Sequence, residues 1–158
     1  MLLKFMASIP RLGGINIGGK INEKLKEEIV KIDKDINELL ENFRYREPAY
    51  YTLAPAGIES ITSLIKRTLN NIEQYKKSLT SYSHNLYHFS EINQLENSLR
   101  EIPKILKEGR QQIYNPPHGM KIIQIIQNIN QSIEIKLHNI QNFWNIHKNK
   151  LHRFGIIK

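Results

Sequence analysis

Ile58-Glu-Ser-Ile61-Thr-Ser-Leu-Ile65-Lys-Arg-Thr68-Leu-Asn-Asn-Ile72-Glu-Gln-Tyr75-Lys-Lys-Ser-Leu79-Thr-Ser-Tyr82-Ser-His-Asn-Leu86-Tyr-His-Phe89 decides the fold. Its core-type residues recur at alternating steps of three and four for more than four heptads without a gap. That spacing describes one stripe on a long helix, with β-branched residues or leucine at one seam position and aromatics often at the other. Bulky tyrosines at the seam suit a bundle of unlike helices better than a symmetric two-stranded coil.

Upstream, Leu25, Ile29, Ile32, Ile36, Leu39 and Phe43 alternate in the same way. They predict a helix from about Lys20 to Arg46, its other face filled by Lys24, Glu27, Lys31, Lys34, Asp35 and Glu38. Gly13-Gly14 and Gly18-Gly19 predict a loop over 11–20, Arg46-Glu47-Pro48 ends the first helix, and Pro55 and Gly57 bracket the entry to the second. Downstream the stripe shifts phase. Ser90 is the expected N-cap of a third helix carrying Ile92, Leu95, Leu99 and Ile102. Pro103 should kink that helix or open a new one, and either Gly109 ends it or Ile113 extends it.

Asn115-Pro-Pro-His-Gly119 reads as a loop leading to a last helix over about Met120–Arg153. Its predicted stripe is Ile123, Ile126, Asn130, Ile133, Leu137, Ile140, Trp144, His147, Leu151 and Phe154. Ile122, Ile125 and Ile129 widen it, which predicts burial of the first half on more than one side, with Asn130 fixing register. The expected fold is all-α: an antiparallel bundle of four to five helices with a kink near Pro103. The expected organisation is a basic, glycine-containing segment over 1–19 and a helical bundle over 20–158.

Composition narrows the chemistry. The chain of 158 residues is long enough for one domain with a real core. Isoleucine serves at almost every core position, beside a single valine and four alanines, and asparagine and lysine dominate the polar set. Codons rich in adenine and thymine explain that bias. The absence of cysteine removes disulfides, thiolate metal sites and cysteine nucleophiles. No apolar run approaches the roughly 18 residues a membrane span needs. The acid-poor start, interrupted by Lys4 and Pro10, is a poor secretory signal, and the expected location is cytoplasmic, with organelle targeting or secretion left open. The net charge of +8 belongs to the two ends: residues 1–22 carry +3 and residues 114–158 carry +5.

His84 and His88 stand one turn apart, the spacing of a helical zinc pair. Asn85 occupies the place where a metallopeptidase needs its general base, and a third ligand would have to come from Glu108, Glu134 or His138. Carboxylates in the first helix interleave with lysines as on a solvated face. The glycine pairs lack the lysine and hydroxyl of a phosphate-binding loop, and the serines between Ser60 and Ser98 lack a histidine–carboxylate frame. The C-terminal stretch with Lys148, Lys150, Arg153 and Lys158 mixes charge with Trp144 and Phe154 and could meet RNA or an anionic membrane surface. Helix C-termini also favour cations for dipole reasons alone.

Arg46-Glu-Pro48-Ala-Tyr50-Tyr51, then Leu99-Arg-Glu-Ile-Pro103-Lys-Ile-Leu106, then Tyr114-Asn-Pro116-Pro117 and a long helix, form a recognisable order. Over about 46–135 the chain resembles a family of bacterial, mostly helical proteins of unknown function regarded as zinc metallopeptidases. The resemblance implies an amino-terminal helical segment, because that family's histidine–glutamate–histidine motif lies further along its chain. It carries over no catalytic, cofactor or metal residue. The expectation is therefore a non-catalytic helical module, a truncated or stand-alone part of a peptidase-like protein, acting through helix packing with itself or a protein partner. The alternatives are a basic adaptor on RNA or an anionic membrane and, more weakly, a metal-dependent hydrolase using His84 and His88.

Overall fold

The computed structural model describes residues 14–44, 53–82 and 90–155, with side chains from residue 23 onward except that of Tyr82. Four helices follow in order: α1 (Gly14–Arg44), α2 (Pro55–Tyr82), α3 (Ser90–Tyr114) and α4 (Ile122–Arg153). No strand occurs among the described residues, so the fold is an all-α bundle. α1 packs chiefly on α2 and α4 chiefly on α3, and a narrower α2–α3 contact joins the two hairpins. Lys76 meets Glu96 near one end of α2 and α3, and Arg110 donates to the Leu53 carbonyl at the other, which makes these helices antiparallel.

The α1 and α2 stripes are core as expected. Leu25, Ile29, Ile32, Ile36, Leu39 and Phe43 face Ile58, Ile61, Ile65, Ile72, Tyr75 and Leu79. Thr68 holds a fully buried seam position because its hydroxyl donates back to the Leu64 carbonyl at 2.8 Å. Leu86 and Phe89 lie outside the described residues, as do the Tyr82 side chain and residues 11–13 of the expected N-terminal loop.

Several boundaries differ from the sequence reading. α1 starts at Gly14, so residues 14–20 are helix and the 19/20 segment boundary falls inside it. Glycine costs about 1 kcal/mol per helical position, yet extending an existing helix is cheap once it has nucleated. Ser90 is the first residue of α3 rather than the residue before it, and its hydroxyl is directed at the Glu91 carboxylate, 3.4 Å away. α3 runs unbroken through Pro103 to Tyr114, so the proline opens no new helix. Its missing N–H deprives the Leu99 carbonyl of a helical donor, which is where the sequence places a bend.

Asp35, expected on a solvated face, is buried. Arg67 Nε and Asn71 Nδ2 of α2 donate to its two oxygens at 3.0 and 2.6 Å, and Arg67 also reaches Glu38.

The first half of α4 turns a different face inward than its stripe predicts. Ile125, Ile129 and Ile133 are buried, whereas Ile122 is exposed and Ile123 is 62% exposed. Gly109 explains the choice. It lies buried inside α3, not at its end, and a Cβ there would fall on Cδ1 and Cγ1 of Ile129. The glycine opens a hole that Ile129 fills, which rotates the first half of α4 toward α3. From Ile133 to Leu151 the expected stripe holds through Ile140, Trp144 and His147. Phe154 is exposed because α4 has stopped: Gly155 takes φ +72° and its N–H donates to the His152 carbonyl.

Gly109→Ala should lower stability by about 1–3 kcal/mol despite alanine's better helix propensity, because it overpacks the site. Ile129→Ala should cost about 2–5 kcal/mol alone. Combined, the two should cost less than their sum. Strict additivity in chemical denaturation would mean that the two residues do not share this space.

Candidate functional site: a buried tyrosine–histidine–glutamate chain

The densest polar chemistry lies where α4 ends beside the start of α3. The 3.6-residue repeat carries Trp144, His147 and Leu151 inward along α4, and the α2 seam carries Tyr75 to the same level. His147 Nδ1 lies 2.6 Å from Glu91 Oε2, and Nε2 lies 2.5 Å from the Tyr75 hydroxyl. Lys150, one turn beyond His147, donates to Glu91 Oε1 at 2.8 Å. Tyr75 is 0%, His147 3% and Glu91 4% exposed.

The proton positions follow from what each group can do. An ionised carboxylate only accepts, so Nδ1 carries the proton and donates to Glu91. Nε2 shares its hydrogen bond with the Tyr75 hydroxyl, which can serve as donor or acceptor. Burial opposes ionisation of Glu91, but hydrogen bonds from His147 and Lys150 outweigh it and hold the carboxyl at about 2 against an ordinary 4.5. Placement in the first turn of α3 further suits an anion. Burial first, then the charges of Glu91 and Glu28, push the Tyr75 phenol above its ordinary value and keep it protonated.

A ring of aromatic and ionic contacts surrounds this chain. Trp144 stacks on His147 with centroids 5.8 Å apart, and Tyr75 meets both rings edge-on. Trp144 Nε1 donates to Asp33 of α1 at 2.6 Å, and Lys148 Nζ donates to the same oxygen at 2.9 Å. All four helices are therefore bonded together within a few turns.

A Glu–His–Tyr order is that of a proton relay, but a relay needs a terminal group that can touch a substrate. The Tyr75 hydroxyl is sealed in the core, so the chain acts here as a lock between helices.

The sequence-predicted residues fare differently. His84 and His88 lie outside the described residues. Of the residues considered as a third ligand, Glu134 and His138 share a shallow depression on α4 with Gln131 and Ile135, while Glu108 lines another on α3. Among the described residues no group of three or more His, Asp or Glu side chains is placed to hold a metal ion. Asn130 is half-buried, and its Oδ1 has no hydrogen-bond partner. Tyr75 and His147 were legible as stripe positions. Glu91 was not, although an acid beside a helix start was the available signal. Lys148 and Lys150, counted in sequence as free positive charge, are spent on Asp33 and Glu91. No family model matches the chain, and no curated protein or solved structure matches it.

Glu91 gives the fold a defined acid limb. Its carboxyl is held at about 2 when folded against 4.5 ordinarily, so its contribution is complete above about pH 4.5 and is lost as pH falls toward 2. That shift corresponds to at most about 3 kcal/mol. Urea denaturation between pH 6 and 2 should show Glu91→Gln less stable at neutral pH and with a flatter acid limb. Parallel acid limbs would contradict the assigned pairing.

Proposed function

We propose that this chain is a non-catalytic helical module that acts by packing helices against a protein partner or another copy of itself. The burial of its reactive side chains carries this reading. Tyr75, His147 and Glu91 are bonded to one another inside the bundle and present no face to a substrate, whereas Tyr114, Ile123 and Ile135 stand in solvent. The ancestry proposed with it, an amino-terminal helical part of a peptidase-like protein, rests on the motifs Leu99–Leu106 and Tyr114–Pro117. Such a segment needs only packing surfaces.

The basic-adaptor reading is the weaker one, because two of the lysines it relies on are already neutralised by Asp33 and Glu91. Among the described residues no helix is long and apolar enough to cross a membrane.

Two measurements test the proposal. Metal analysis of protein purified without a histidine tag should find no stoichiometric zinc. Retained zinc together with hydrolysis that a chelator abolishes would restore the enzyme reading. Titration into RNA or anionic vesicles should give weak binding with a shallow salt dependence. Tight binding that collapses with added salt would establish the adaptor instead.

A further inference from the structure

We infer that α4 pairs with α4 of a second copy of this chain, antiparallel, through its outward face; this rests on the helix-packing module proposed above. Two observations single out that face. Across Ser132–Asn149 only Glu134, Lys136 and Lys148 are charged, three of 18 positions, whereas Glu23–Arg44 of α1 carries twelve charges in 22. Codon bias toward adenine and thymine supplies lysine as readily as asparagine, so it does not account for the missing charge. Large aliphatic side chains also stand out from this face: Ile135 is 59% and Ile146 38% exposed.

The second observation is a register. Opposite the core stripe, Ser132, Ile135, Asn139, Asn142, Ile146 and Asn149 follow steps of three and four without a gap. All are exposed except half-buried Asn139. This is a second heptad seam on the same helix, turned to solvent. It is self-complementary when run against itself. A two-fold axis between Ile140 and Gln141 sets Ile135 against Ile146 of the second copy, Asn139 against Asn142, and Ser132 against Asn149, each layer then recurring by symmetry. Every layer joins apolar with apolar or polar with polar. Carboxamides have both donors and acceptors, so the asparagine layers can bond across the axis, and a slipped register would set isoleucine against amide.

Electrostatics bears on the choice of face. A chain of net charge +8 repels its own copy, and it approaches itself most cheaply through a face where charge is sparse. Two isoleucine layers and their flanking amides are a modest interface, so the dimer should form reversibly.

Sedimentation equilibrium of the full chain over a hundredfold concentration range should show a monomer–dimer transition. Added salt should leave it unchanged or strengthen it, because only the general repulsion is screened. Ile135→Lys and Ile146→Glu should each shift the chain to monomer without changing its far-ultraviolet dichroism, since both positions already face solvent. The double variant should recover the dimer, because the introduced lysine and glutamate face each other only across the two-fold. Within one chain they are too far along the helix to meet. A wild type that stays monomeric, or a dimer that either single variant leaves intact, overturns the inference. Both results leave the non-catalytic module standing, since its zinc and salt tests are separate measurements. A dimer broken by both single variants but not restored by the double one would overturn the antiparallel register.

Discussion

The imidazole of His147 bonds two other helices at once, to Glu91 of α3 and to Tyr75 of α2, and the arrangement of the bundle depends on that double bond. A carboxylate this deeply buried is costly unless its oxygens are satisfied. Glu91 therefore requires His147 on one oxygen and Lys150 on the other, which brings the start of α3 beside the last turns of α4. The opposite end of the same hairpin is set independently by Ile129 in the hole left by Gly109. The two constraints agree. Eighteen residues separate Glu91 from Gly109, and 18 separate Ile129 from His147, so two antiparallel helices of equal rise meet both at once.

A lock of this kind answers a weakness in the core. With isoleucine or leucine at most inward positions, sliding one helix past another by a heptad often exchanges one aliphatic side chain for another of similar size. Apolar packing alone would leave such registers close in energy. Tyr75, Glu91 and His147 remove that degeneracy, because a slipped register strands a buried carboxylate and a buried phenol without partners. Buried polar groups of this sort often add little net stability compared with well-packed apolar ones. Here their contribution is mainly to register, and Trp144 with Asp33 extends the same restriction to α1.

Legibility in the sequence followed the range of the interactions. The stripes of α1 and α2 depend on local periodicity and were readable residue by residue, down to Thr68 at a seam position. Gly109 could be read either as a helix stop or as an interior position continued to Ile113, because the side chain that packs against it, Ile129, lies twenty positions away. The inward face of early α4 misled for the same reason: Ile123, Ile126 and Asn130 have as good a period as Ile125, Ile129 and Ile133, and only the Gly109 hole separates them. Asp35 had the appearance of surface charge until Arg67 and Asn71 approached from α2. Glu91 shows the limit most clearly, since nothing near it in sequence reveals a histidine 56 residues later.

Helix α4 brings these strands together because it carries a seam on each side. Inward, Ile133, Ile140, Trp144, His147 and Leu151 are large or specifically bonded, and their identities follow from the neighbours they meet. Outward, Ser132, Ile135, Asn142, Ile146 and Asn149 are exposed and Asn139 is half-buried, so the fold places a weaker packing demand on them. A face under weak demand ordinarily fills with charge, as α1 does, because charge keeps a surface solvated. Low charge combined with periodic isoleucine is the pattern of a face that spends part of its time covered. The proposed pairing of α4 with a second copy draws on this second seam, because Tyr75, His147 and Glu91 on the inner side are already bonded to one another.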